Sequence, residues 1–363
     1  MKVDAHQAAI CLTTPRTIEI VDIPTPRLGP EDVMVDVHYV GICGTDLNSY
    51  RGLMPLVTYP RTPGHEVSGI IVARGAQVPK SINEGARVML SPYSHCGLCP
   101  ACRIGRFNCC QFNQTLGVQR EGALTHRFAI HYSKVFANKT LSLPELALVE
   151  PLSVGYHAAN RGRVTEVDTV LVIGCGTIGI GVIAAAARKG ATVIATDIDE
   201  TKLSTAKKFG AQYTLNSAQQ DVLTTIHELT DMEGASVVIE AVGLPETFRL
   251  AVEAVAFAGR VVYIGYAKQE VSYDTSQFVR KELDIMGSRN ALHVFPAVIK
   301  MLEKREFPFA DLITQVYPFA ETAHAFHDWD AAPDKFTKIL IEVGSPPHPR
   351  GGLRTGESKC SRE

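Results

Sequence analysis

The chain has 363 residues, 45% of them hydrophobic and 20% charged, enough to bury a sizeable core in two or three domains and too apolar to be disordered as a whole. A net charge of −2 excludes a global basic field for nucleic acid or anionic lipid. Nine cysteines are an odd number, and Cys96, Cys99, Cys102 and Cys110 fall within fifteen residues, which points to metal before disulfides.

The opening residues, Met1 to Gln7, are mixed and polar, so no secretory leader is expected and the protein is expected in the cytoplasm. Residues 17–23, 32–40, 67–73 and 87–90 are β-branched or apolar runs bounded by Gly, Pro, Asp or Asn. They predict short strands in a β-barrel-like domain. Residues 152–161 predict a helix that leads into a different rhythm. Residues 169–187 carry no charge and imitate a membrane span, but Gly174, Gly176, Gly179 and Gly181 fit a strand, turn and helix better. Strands at 170–173, 192–196, 237–240 and 261–264, with 285–287 as the last, alternate with helices such as 200–209 and predict a parallel sheet, hence an α/β class. A helix at 294–305 and a strand at 337–343 follow, the latter expected to return to the first domain. The tail from Gly344 is rich in Pro, Gly, Arg and Ser and reads as a mobile end. No internal repeat is found.

Gly174-Cys175-Gly176-Thr177-Ile178-Gly179 is a G-x-G-x-x-G between an apolar strand and a helix. The first glycine allows the tight turn, the second lets backbone approach a pyrophosphate, and the third lets helix and strand pack. The helix start adds unpaired N–H groups for phosphate. Asp197, 18 residues after Gly179, suits both ribose hydroxyls and repels a 2′-phosphate, which favours NAD over NADP. Lys202 is placed under the adenosine ribose. The bland alternative is an ordinary turn with Asp197 as a helix cap.

Cys96, Cys99, Cys102 and Cys110 can close a tetrahedral Zn²⁺ site with no open position, which makes it structural; Cys109 is an alternative fourth ligand. A zinc-ribbon module for nucleic acid lacks the basic stripe it needs. Cys43, His65, Glu66 and Glu150 offer one thiolate, one imidazole and one or two carboxylates, a set that can hold catalytic zinc with a position free. Each alone is more often structural.

Together these motifs resemble the zinc-dependent medium-chain alcohol dehydrogenases, over about residues 8–343. The resemblance implies a GroES-like catalytic domain at 1–154 with a zinc lobe at 91–112, a Rossmann domain at 155–292, a return to the catalytic domain at 293–344 and a flexible tail at 345–363. It also implies two Zn²⁺ per chain, NAD, and a homodimer or homotetramer built through the Rossmann sheets, with no nucleic acid or membrane partner. His65-Glu66 with Glu150-Pro151 is closest to the polyol branch, which includes sorbitol dehydrogenase, threonine dehydrogenase and the sugar-acid 5-dehydrogenases. In that branch Cys43, His65 and Glu66 ligate zinc, and Glu150 does so directly or through water. Thr45 takes the substrate proton, and Val242, Gly265, Ser288 and Arg289 join the cofactor contacts. Many relatives have His where this chain has Asn48, an amide that cannot titrate near neutrality. Tyr50, Arg51, His126 and Arg289 are the candidates for substrate contact. The expected reaction oxidises a secondary hydroxyl of a polyol or sugar acid, an aldonate such as L-galactonate. Threonine-type oxidation of an amino alcohol, or a silent NAD- and zinc-binding sensor, are the alternatives.

Overall fold

A computed structural model describes residues 6–344; the expected tail at 345–363 lies outside the described residues. The chain divides into two compact units. One takes the described residues up to Glu150 and from Phe309 onward, and the other is Pro151–Pro308.

The first unit is built on a seven-stranded sheet whose long strand Asp32–Ile42 pairs antiparallel with Glu66–Arg74, with Arg127–His131 and with Lys338–Glu342. Along that strand Val33, Val35, Val37, Val40 and Ile42 are buried in the unit's core with Val67 and Ile71 of its neighbour. A hairpin of His6–Thr14 and Thr17–Pro24 forms a separate two-stranded sheet. The strand expected at 337–343 is present as Lys338–Glu342.

The second unit holds a six-stranded parallel sheet in the order Tyr213–Asn216, Thr192–Asp197, Thr169–Ile173, Ala235–Glu240, Val255–Tyr263, Asp284–Gly287. This is the doubly wound order, and the chain reverses direction across the sheet between Thr169–Ile173 and Ala235–Glu240. The crevice beyond the carboxyl ends of those two strands is where such sheets take their ligands. The uncharged run forms the strand Thr169–Ile173 and the helix Thr177–Arg188, and among the described residues no helix is long and apolar enough to cross a membrane.

Candidate active site

The strand Asp32–Ile42 ends at Cys43, which caps the helix Gly44–Tyr50. The Cys43 backbone N–H donates to Asp46 Oδ2 at 3.0 Å, so the first turn of the helix folds a carboxylate back beneath the cysteine. The other oxygen, Asp46 Oδ1, lies 3.6 Å from His65 Nδ1, and both residues are buried. A carboxylate on Nδ1 orients the ring and leaves Nε2 as its ligand atom. Glu66 opens the strand Glu66–Arg74 opposite Gly41, and His65 stands just before it. A Cβ at Gly41 would stand 2.0 Å from Glu66 Oε2, so glycine there makes room for the carboxylate. Lys338 Nζ lies 2.7 Å from each Glu66 oxygen and donates to the Ile42 carbonyl at 3.1 Å. The ligand atoms of Cys43, His65 and Glu66 lie within 4.8 Å of one another.

These residues fit a dication. Cys43, Asp46, Glu66 and Glu150 bring four acidic groups together, and Lys338 is the one lysine among them. Burial pushes Glu150 up to about 7 and raises Asp46 as well. A bound cation would let both ionise, and one sulfur, one nitrogen and one oxygen donor are the ligand types zinc accepts at a site that keeps an open position. Glu150 stands outside the group of three; its Oε1 accepts a hydrogen bond from the Tyr93 hydroxyl.

The second cluster is Cys96, Cys99, Cys102 and Cys110. Its sulfurs are 4.0 Å apart for Cys96–Cys102 and for Cys99–Cys110. A tetrahedron with metal–sulfur bonds of about 2.3 Å has edges of about 3.8 Å. Backbone N–H groups of Gln111 and Cys102 hold the Cys99 thiol down, to about 6. Cys110, rather than its neighbour Cys109, completes the four; Cys109 receives Arg106 instead.

In the second unit the three motif glycines have three separate reasons. Gly174 adopts φ +96°, and a Cβ there would meet Val242 Cγ2 at 2.6 Å. Gly176 caps the helix Thr177–Arg188 and faces open space. A Cβ at Gly179 would fall 1.9 Å from the Gly174 carbonyl oxygen. Thr177 and Ile178 form the helix's half-buried first turn. Asp197 Oδ2 accepts from the Cys175 N–H at 2.8 Å, which fixes the carboxylate against the glycine turn. The cap of the next helix is Asp199, which accepts from the N–H groups of Thr201 and Lys202. Across the crevice, Glu240 is fully buried, and its Oε1 accepts from the N–H groups of Val242 and Gly243 and from Thr247 Oγ1. Gly265 passes so close that a Cβ would stand 2.6 Å from Glu240 Oε2. Ser288 is buried, its N–H donating to the Tyr263 carbonyl at 2.8 Å, and Arg289 beside it is half-buried.

Three candidates for substrate contact are put to other uses. The Tyr50 ring packs 5.5 Å from Phe326, and Arg51 Nε pairs with Asp330 at 2.5 Å, so both secure the helix Gly44–Tyr50 to Thr322–Ala331. The His126 ring packs 5.0 Å from that of Phe319, and it faces Gly344. Gly344 is six residues from Lys338, about 20 Å along an extended chain from the metal cluster. Sequence reasoning missed Asp46, Tyr93, Glu240 and Lys338. Asp46 was within reach, because it follows Cys43 at the spacing of a helix cap.

Residues 177–304 match the zinc-binding dehydrogenase family, and residues 29–140 match the alcohol dehydrogenase GroES-like domain. An uncharacterised zinc-type alcohol dehydrogenase-like protein of Haemophilus influenzae is 35% identical over 91% of this chain and 97% of its own. The chain belongs to the zinc-type alcohol dehydrogenases. The L-galactonate-5-dehydrogenase of Escherichia coli is 30% identical over 84% of this chain and 89% of its own. The crystal structure of the rspB alcohol dehydrogenase of Escherichia coli CFT073 with NADH superposes with a TM-score of 0.87 at 28% identity, over 93% of this chain and all of that one. The protein is thus an NAD-dependent zinc dehydrogenase acting on CH–OH donors, with a catalytic site at Cys43, His65 and Glu66 and a structural site at the four cysteines.

Proposed function

We propose that the dehydrogenase interconverts a secondary hydroxyl and a ketone on a polyol or sugar acid, with an aldonate such as L-galactonate as the substrate to try first. The observation that carries this reading is the buried Glu150–Tyr93 pair beside the metal ligands. A site lined by a carboxylate and a phenol hydroxyl is suited to a substrate with several hydroxyls, which can join that hydrogen-bonded pair where an alkyl chain cannot. The likeness to an L-galactonate-5-dehydrogenase supports the same class.

Zinc would be held by Cys43, His65 and Glu66 and would supply Lewis acidity to the substrate hydroxyl, and bound NAD⁺ would supply the hydride acceptor. Thr45, in the first turn after Cys43, accepts the hydroxyl proton and passes it to water. Asn48, on the same helix, does not titrate near neutral pH and serves as a hydrogen-bonding group, not a base. Asp46 keeps the His65 ring oriented, and Lys338 balances Glu66. Gly176 and the start of its helix receive the pyrophosphate, and Asp197 receives the ribose hydroxyls. Arg289, beside the buried Ser288, offers a planar cation to the cofactor. The strand Asp284–Gly287 is the outer strand of the parallel sheet, with Ile285 exposed, an edge suited to pairing with a second copy.

NADH formation over aldonates, alditols and threonine, with zinc measured on the same sample, tests the reading. Turnover highest on an aldonate or alditol is expected. A preference for threonine overturns it, as does a zinc-loaded protein that binds NADH and oxidises nothing in the panel.

A further inference from the structure

Glu150 stands beside the metal ligands without joining them. It is 4% exposed, yet its carboxylate lies outside the group formed by Cys43, His65 and Glu66. What holds its Oε1 is the hydroxyl of Tyr93, also buried. Independent elements anchor the two residues. Glu150 sits in the first turn of the helix Val149–Arg161. Tyr93 stands at the root of the four-cysteine lobe, three residues before Cys96, and its backbone bridges to Thr115, beyond the lobe's last cysteine. The hydrogen bond between them therefore sets where the carboxylate points.

A carboxylate on a flexible side chain next to a dication is a ligand unless something else engages it. Zinc with four protein ligands is a closed, structural site, whereas a catalytic site needs three and an open position. We propose that Tyr93 is a positioning residue whose hydroxyl holds Glu150 off the metal and so keeps the fourth position at Cys43, His65 and Glu66 open for the substrate oxygen. The lobe that carries the structural zinc then has a part in the reaction, because it places Tyr93. This inference rests on the zinc site and is independent of which alcohol is oxidised.

The test exchanges cobalt for zinc in wild type, Tyr93→Phe, Glu150→Gln and the double variant, and records the visible d–d bands without substrate. Phenylalanine fills the same space, so the fold is retained and only the hydroxyl is lost. Tyr93→Phe is expected to shift the d–d bands as the Glu150 carboxylate takes the fourth position from water. In the zinc enzymes it is expected to raise KM for the alcohol about tenfold with a smaller change in kcat. In the Glu150→Gln background the same substitution is expected to leave the cobalt spectrum unchanged. A Tyr93→Phe spectrum identical to wild type, or a change that persists in the Glu150→Gln background, overturns the positioning role. Failure of wild type to bind cobalt overturns the metal site and this inference with it. A spectrum that responds as expected in an enzyme oxidising nothing in the panel upholds the inference while the substrate reading falls.

Discussion

Lys338 is a buried ammonium with its donors directed at the two Glu66 oxygens and the Ile42 carbonyl. Removing one partner of a buried ion pair costs about 3–5 kcal/mol, mostly because the other charge is left unpaired. Lys338→Met should therefore destabilise the metal-free enzyme by about that amount. The loss should be smaller with zinc bound, since the metal also answers the Glu66 charge. Urea unfolding with and without a chelator measures both numbers, and equal losses would count against Lys338 as the counter-ion. Asp197 is a second residue with a divided task. Its Oδ2 already accepts from the Cys175 N–H, which leaves lone pairs for the ribose. Ile198 beside it is 71% exposed, so an arginine fits there without repacking. Asp197→Ala with Ile198→Arg should raise kcat/KM for NADP about tenfold and lower it for NAD. Unchanged selectivity would remove the ribose role from Asp197.

At the level of elements, the glycine turn joins strand and helix by close backbone approach, and Gly179 is its tightest point. A Cβ 1.9 Å from a backbone carbonyl cannot be relieved by a side-chain rotation. Gly179→Ala should push the helix Thr177–Arg188 off the turn, cost about 1–3 kcal/mol and weaken NADH binding at least tenfold, read by fluorescence titration. Retained affinity would show that the helix start does not hold the pyrophosphate. This turn was legible in the sequence because all its parts lie within one strand–turn–helix. Strand Val255–Tyr263 was only half legible: the expected 261–264 misses its first six residues. Phe257 is exposed, Ala258 has φ +55° and Gly259 follows, so that stretch reads as loop until its parallel neighbour Ala235–Glu240 is seen. Ile313–Pro318 was missed for a similar reason, being a largely exposed strand defined by its pairing with Lys338–Glu342. The metal ligands were legible as a combination of residue types. Their supports were not, since Lys338 meets Glu66 across 272 positions and Tyr93 meets Glu150 across 57, distances no local pattern encodes.

For the whole molecule, the buried acids tie stability to pH through the metal. Without metal, burial pushes Glu150 up to about 7 from an ordinary 4.5. The folded state then binds this proton more tightly than the unfolded chain does. As pH rises from about 4.5 to 7, the unfolded chain releases its proton first and folding becomes less favourable, by about 3 kcal/mol over the full range. His65 acts in the same direction. Burial alone would lower its pKa, but Asp46 and Cys43 outweigh burial and hold it well above the usual value, so its contribution is also lost as pH rises through the folded pKa. Cys99, held down to about 6, opposes these at the upper end of the range, so the Glu150 share is best isolated against a Glu150→Gln variant. From about pH 5 to 7.5 the metal-free wild type should lose roughly 3–4 °C of Tm relative to metal-free Glu150→Gln. Zinc should abolish that difference, because a dication beside the carboxylate favours its ionised form and zinc binding itself releases protons. Melting curves of both proteins, chelated and zinc-loaded, at stepped pH give the result. A metal-free difference that stays constant with pH would mean that Glu150 is ionised without the metal, and the fit of this pocket to a dication would lose its electrostatic basis.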